Sequence, residues 1–80
     1  MPVQDRVMQF IKDTFLIDEV ASDESFLASG ILDSLGIMQL VAFVESELGV
    51  KVPEADLVPE NFDSVARVAA YIERMRGRTA

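Results

Sequence analysis

Apolar positions recur with a helical period over three stretches of the chain and lose it between them. In residues 3–15, Val3, Val7, Phe10 and Ile11 are spaced as one buried helical face, while Gln4, Asp5, Gln9, Lys12 and Asp13 fall mostly on the other side. Pro2 suits the first turn, where its missing N–H would have no helical partner. In residues 34–48, Ile37, Leu40, Val41, Val44 and Leu48 share a face. Asp33 or Ser34 can cap this helix through a side-chain oxygen, and Gly49 is placed to end it. A third helix starts after Asp63 or Ser64 as cap and buries Val65, Val68, Ala69 and Ile72, with Met75 one turn on. Arg74, Arg76 and Arg78 lie toward its C-terminal end, where positive charge suits the helix dipole. Gly77 and the residues after it are expected to fray.

The intervening stretches read differently. Residues 16–33 are rich in acids and small polar residues, with Gly30 near the end and Phe26, Leu27 and Leu32 as apolar anchors. A loop longer than about 12–15 residues in a compact domain is usually functional or disordered, and the interspersed hydrophobes favour the first. Pro53 and Pro59 interrupt residues 50–63, so Glu54–Val58 allows one short turn that Pro53 opens and Pro59 closes. The pattern predicts an all-α fold: a small four-helix bundle of three main helices and one short one, with a long loop between the first and second. Residues 1–80 are expected to form a single domain. Phe10, Phe15, Phe43 and Phe62 have the bulk to fill its interior, but spacing does not show which of them point inward.

The 34–48 helix carries a second apolar stripe. Leu35, Met38 and Ala42 lie roughly opposite its core face. One helix cannot easily bury two opposed faces in so small a bundle, so Leu35 and Met38 read as an exposed strip beside Ser34. Ala42 is compatible with either side.

Composition narrows the chemistry. The chain has no cysteine and no histidine, which removes disulfides, Cys/His zinc sites and Ser-His-Asp or Cys-His catalysis. Its formal net charge of −7 argues against nucleic acid as a partner. No apolar run approaches the roughly 20 residues that span a bilayer. The start lacks the basic and apolar segments of a signal peptide, so a complete, cytoplasmic chain is the expectation. Residues 13–66 hold 12 acids and one base, Lys51. Such a surface either keeps the protein soluble or steers it toward basic patches on other proteins, and charge alone does not choose. The acids of residues 18–24 lack the alternation and central glycine of an EF-hand loop, so no specific metal site is expected. A bundle this small also offers paired carboxylates no substrate cleft.

The most informative stretch runs from Phe26 to Leu40, FLASGILDSLGIMQL. It delivers Ser34 to the start of a helix, where free N–H groups and the dipole favour a phosphate. Taken bare, a serine there is most often a cap. The stretch, however, resembles the attachment region of acyl and peptidyl carrier proteins, with Phe26, Gly30, Leu32, Asp33, Ser34, Leu35 and Leu40 at family spacing. Gly49-Val50-Lys51-Val52-Pro53 and Asn61-Phe62-Asp63-Ser64-Val65 resemble later family positions, so the similarity covers nearly the whole chain.

The resemblance implies a non-catalytic carrier. A phosphopantetheinyl transferase would attach 4′-phosphopantetheine to the Ser34 hydroxyl, with Asp33 helping that reaction and Leu35 supporting it. Cargo, acyl or aminoacyl, would ride as a thioester. The partner interface implied is Leu35, Met38, Gln39, Ala42 and Glu45, with Glu47 nearby, and the partners are a cargo ligase and downstream transferases that meet a monomeric carrier. Gly36 and Gln39 stand where carriers of fatty-acid synthesis often have acids. The pattern is therefore more similar to specialised free-standing carriers, aminoacyl and D-alanyl ones included, in lipid or secondary metabolism. The rival reading is a small acidic interaction module in which Ser34 is only a helix cap.

Overall fold

The structure, a computed structural model, describes residues 2–79, with side chains described through Gly77. Five α-helices and one 3-10 turn are present among the described residues: α1 (Val3–Phe15), α2 (Phe26–Ser29), α3 (Ser34–Glu47), the turn Glu54–Asp56, α4 (Pro59–Phe62) and α5 (Val65–Thr79). None is long and apolar enough to cross a membrane.

The three long helices follow from their stripes. Val3, Val7 and Ile11 of α1 are buried, as are Leu40, Val41 and Val44 of α3 and Val65, Val68, Ala69 and Ile72 of α5. Packing of α1 against both α3 and α5 closes the core, and Phe26 from α2 and Phe62 from α4 complete it. Tyr71, outside the expected stripe of α5, is buried too, and its hydroxyl donates to Asp56 Oδ2 at 2.7 Å. That bond lets a polar tip sit inside the protein without losing a partner.

The all-α class stands; the short elements and ends differ from expectation. Residues 16–33 are not one uninterrupted loop, because α2 forms a single turn within them. Four residues cannot sustain a helix alone. Here the turn is held from outside: Phe26 N–H donates to Asp63 O at 2.8 Å, and Ala66 N–H, one of the orphan donors at the start of α5, donates to Ser22 O at 2.8 Å. Leu27, expected to anchor the loop, is 52% exposed. Its neighbour Phe26 takes the inward position, and on so short a turn the next side chain points away.

Pro59 opens α4 rather than merely closing the preceding turn, since at the first helical position its ring costs no hydrogen bond. Pro2 precedes α1 as its N-cap, with its carbonyl accepting from Arg6 N–H at 3.2 Å. Helix α5 runs on past Gly77 to Thr79, since one glycine costs a helix only about 1 kcal/mol, and Ala80 lies outside the described residues. The Arg78 side chain lies outside the described residues.

Candidate functional site

Asp33 and Ser34 share the start of α3, and the structure divides their roles. The Asp33 carboxylate accepts from Gly36 N–H at 2.8 Å, and its carbonyl accepts from Ile37 N–H at 2.9 Å, so Asp33 is the cap. Ser34 is the first residue of the helix proper. It is exposed, and its hydroxyl makes no hydrogen bond among the described residues. The reading of Ser34 as a mere cap therefore fails on geometry, because its neighbour already does that work. The N–H groups of Ser34 and Leu35 have no carbonyl one turn back, which leaves local positive potential beside the free hydroxyl.

Gly36 explains how the approach to Ser34 is packed. A Cβ there would stand 3.0 Å from Leu32 Cδ2 and 3.2 Å from Leu32 Cβ, so the missing side chain lets buried Leu32 lie against the first turn of α3. Gly30, at φ 77°, turns the chain between α2 and Leu32 in a conformation that favours glycine.

Beside Ser34 lies an apolar groove of about 250 Å³. Leu27 of α2, Ile37 and Met38 of α3, and Leu57, Val58, Pro59 and Phe62 from the far side line it, with Asp63 at its margin. Asp63 also fixes its shape. One carboxylate oxygen accepts from Ser25 Oγ at 2.6 Å and the other from Leu27 N–H at 3.0 Å, while Ser25 Oγ accepts from Ala28 N–H. Asp63 thus ties α2 to the junction of α4 and α5. Capping of α5 falls to Ser64, whose Oγ accepts from Arg67 N–H at 3.1 Å. The far wall is held by Tyr71 on Asp56 and by Asn61 Nδ2, which donates to Asp56 O at 2.9 Å.

The expected interface residues all lie on α3 but do not form one patch. Leu35 is 73% exposed and Met38 54% exposed, and Gln39, Ala42 and Glu45 are exposed as well. Met38 belongs to the groove beside Ser34. Gln39 and Ala42 turn the other way and, with Glu47, line a second depression against Phe10 and Phe43 of α1 and α3. Glu45 is engaged within the molecule: its Oε2 accepts from Val52 N–H at 3.0 Å. The far wall of the Ser34 groove, Leu57 to Asp63, was not recognised in the sequence; no local spacing signals a wall built 23 to 29 residues downstream.

A free, exposed hydroxyl at a helix N-terminus is chemically able to take a phosphate-linked arm. Comparison with known proteins points the same way. The family model described as "Phosphopantetheine attachment site" matches residues 5–72. The D-alanyl carrier protein of Enterococcus faecalis is 28% identical over 78 residues, covering 95% of this chain and 100% of that protein. Its counterpart from Streptococcus pyogenes serotype M1 is 26% identical over 77 residues, covering 95% and 98%. A chain in a crystal structure of an FAD-dependent dehydrogenase superimposes with a TM-score of 0.73 at 38% identity, covering 82% of this chain and 97% of that one. On the family match and the carrier relatives along nearly its full length, the chain belongs to the acyl and peptidyl carrier proteins, which hold 4′-phosphopantetheine covalently.

Proposed function

We propose that Ser34 is the attachment residue and that this protein carries an acyl or aminoacyl group on the arm. The observation that carries the reading is the split at the start of α3: Asp33 caps the helix and leaves the Ser34 hydroxyl exposed and unbonded. The attached group supplies a thiol, and so a thioester linkage, that a chain without cysteine cannot make itself. The protein's own residues position and shield. The first turn of α3 favours a phosphate at Ser34, and Leu27, Met38 and Phe62 offer an apolar wall along which an arm can rest.

The D-alanyl carrier relatives support aminoacyl cargo, with loading by a dedicated ligase. The chain found with an FAD-dependent dehydrogenase supports a redox enzyme among the partners, as in a specialised pathway of lipid or secondary metabolism. A cytoplasmic monomer belongs to the same reading, since one carrier must pass freely between enzymes. Incubation with coenzyme A and a broad-specificity phosphopantetheinyl transferase should add one phosphopantetheine to the intact mass. Ser34→Ala should add none. Equal addition to both proteins would refute the assignment of Ser34.

A further inference from the structure

The two walls of the groove beside Ser34 meet at one residue. The backbone of Asp63 closes α4, with its N–H on Pro59 O at 3.1 Å, and Pro59 and Phe62 of that helix form the far wall. Its carboxylate reaches the other way, to α2, which supplies Leu27 to the near wall.

Helix α2 needs that support at a particular place. Phe26 is fixed twice, by complete burial of its ring and by its N–H on Asp63 O at 2.8 Å. Leu27 and Ala28 are exposed, so burial holds neither. Their N–H groups lie in the first turn, where no helical carbonyl is available to them. Both end on the same carboxylate. Leu27 N–H reaches Oδ1 directly at 3.0 Å; Ala28 N–H is accepted by Ser25 Oγ at 3.0 Å, and that hydroxyl donates to Oδ2 at 2.6 Å. A turn anchored at one point can still rotate about it, and these charge-assisted bonds remove that freedom. The stretch before α2 is pinned separately, by Ala66 N–H on Ser22 O at 2.8 Å, so loss of the carboxylate frees the turn and not the whole loop.

We infer, on the reading of Ser34 as the attachment residue, that Asp63 with Ser25 as its relay is a positioning residue for arm attachment. It acts through Leu27, by holding the near wall of the groove in place. When the latch opens, Phe26 stays buried and Leu27 leaves the wall, which changes the surface a transferase meets around Ser34.

Amide exchange on the protein without its arm tests the latch. Leu27 and Ala28 should open together, by a local event insensitive to low urea, and should exchange faster than Phe26. Ser25→Ala should speed exchange at both by about tenfold, and Ser25→Thr, which keeps the hydroxyl, should restore most of the protection. The effect at Leu27 is the diagnostic one, because Leu27 N–H is bonded to Asp63 and not to Ser25. Phosphopantetheine transfer from coenzyme A by a broad-specificity transferase, measured on folded protein over a range of carrier concentrations, tests the consequence. Ser25→Ala and Leu27→Ala should each lower kcat/KM about threefold to tenfold, chiefly through KM, and Ser25→Ala should add nothing further in the Leu27→Ala background. Leu27→Ala truncates an exposed side chain, so folding is not at issue in that variant. Independent opening of Leu27 and Ala28, additive losses in the double variant, or wild-type kinetics in Ser25→Ala would each overturn the proposal. No transfer to wild type would overturn the attachment reading and the proposal with it, and the exchange data would then show by themselves whether the latch exists.

Discussion

Removing the Asp63 carboxylate should destabilise the protein more than any other single polar change near the groove. It holds two donors 36 and 38 residues away, Leu27 N–H at 3.0 Å and Ser25 Oγ at 2.6 Å. Hydrogen bonds to a charged group contribute about 1.5–3 kcal/mol each when shielded. The Ser25 bond is partly buried and belongs in that range; the Leu27 bond is exposed and adds less. Asp63→Ala is therefore expected to cost about 2–3 kcal/mol. For 80 residues the whole stability is roughly 4–12 kcal/mol, so this is a large fraction of it. Urea unfolding would read it directly, and a thermal scan should show the midpoint fall by about 8–24 °C, at about 4–8 °C per kcal/mol for a domain of this size. Asp63→Asn should recover part of the loss, since an amide oxygen can still accept from Leu27 N–H. Because Leu27 lines the groove beside Ser34, Asp63→Ala should also slow phosphopantetheine transfer under conditions where the protein is still folded. If Asp63→Ala unfolds within about 0.5 kcal/mol of wild type, the carboxylate clamp contributes nothing, and α2 is held by the burial of Phe26 and its backbone bond to the Asp63 carbonyl.

Other changes test separate links. Asp33→Ala removes the cap of α3 and should cost about 0.5–2 kcal/mol in urea unfolding, whereas Asp33→Asn should cost much less. Gly36→Ala should lower stability by about 1 kcal/mol despite alanine's better helix propensity, because buried Leu32 must move away from the new Cβ. Leu16 ends α1 at φ 54° with its side chain 88% exposed, so Leu16→Gly should raise the thermal midpoint by relieving a left-handed conformation that costs roughly 1–2 kcal/mol.

The long helices were legible because each is an amphipathic or capped segment whose instructions are local. Val3, Val7 and Ile11 announce α1, and Asp33 with Gly49 brackets α3 within a residue or two. Helix α2 was not legible: Phe26 stands out as an apolar anchor, but the Asp63 carboxylate that ties the turn down lies 36–38 residues away from its partners, beyond any local window. Pro59 follows the short turn as expected, and its second role, opening α4, is not marked by spacing, because proline suits both the end of a turn and the first residue of a helix. Tyr71 escaped the core because its burial depends on Asp56, which no periodicity rule pairs with it.

The candidate site divides the same way. Ser34, Leu35 and Met38 were visible as a run on one helix, and the family resemblance raised Ser34 above an ordinary cap. Which of Asp33 and Ser34 caps α3 needed coordinates, since both residue types suit that place. The groove was invisible in sequence, because Leu27 and Phe62 meet across it only through the fold. Gln39 and Ala42 share the implied interface with Met38 in sequence, yet they line a different depression, being turned about 100° and 40° from Met38 around the helix.

The central claim is that one particular hydroxyl carries the arm, and localisation of the adduct tests it most directly. After phosphopantetheinylation, trypsin should release residues 13–51 as one peptide between Lys12 and Lys51, and that peptide contains Ser22, Ser25, Ser29, Ser34 and Ser46. Fragmentation should place the whole added mass on Ser34, with the other four unmodified. An adduct on any of those four serines, or on a residue outside this peptide, would contradict the account.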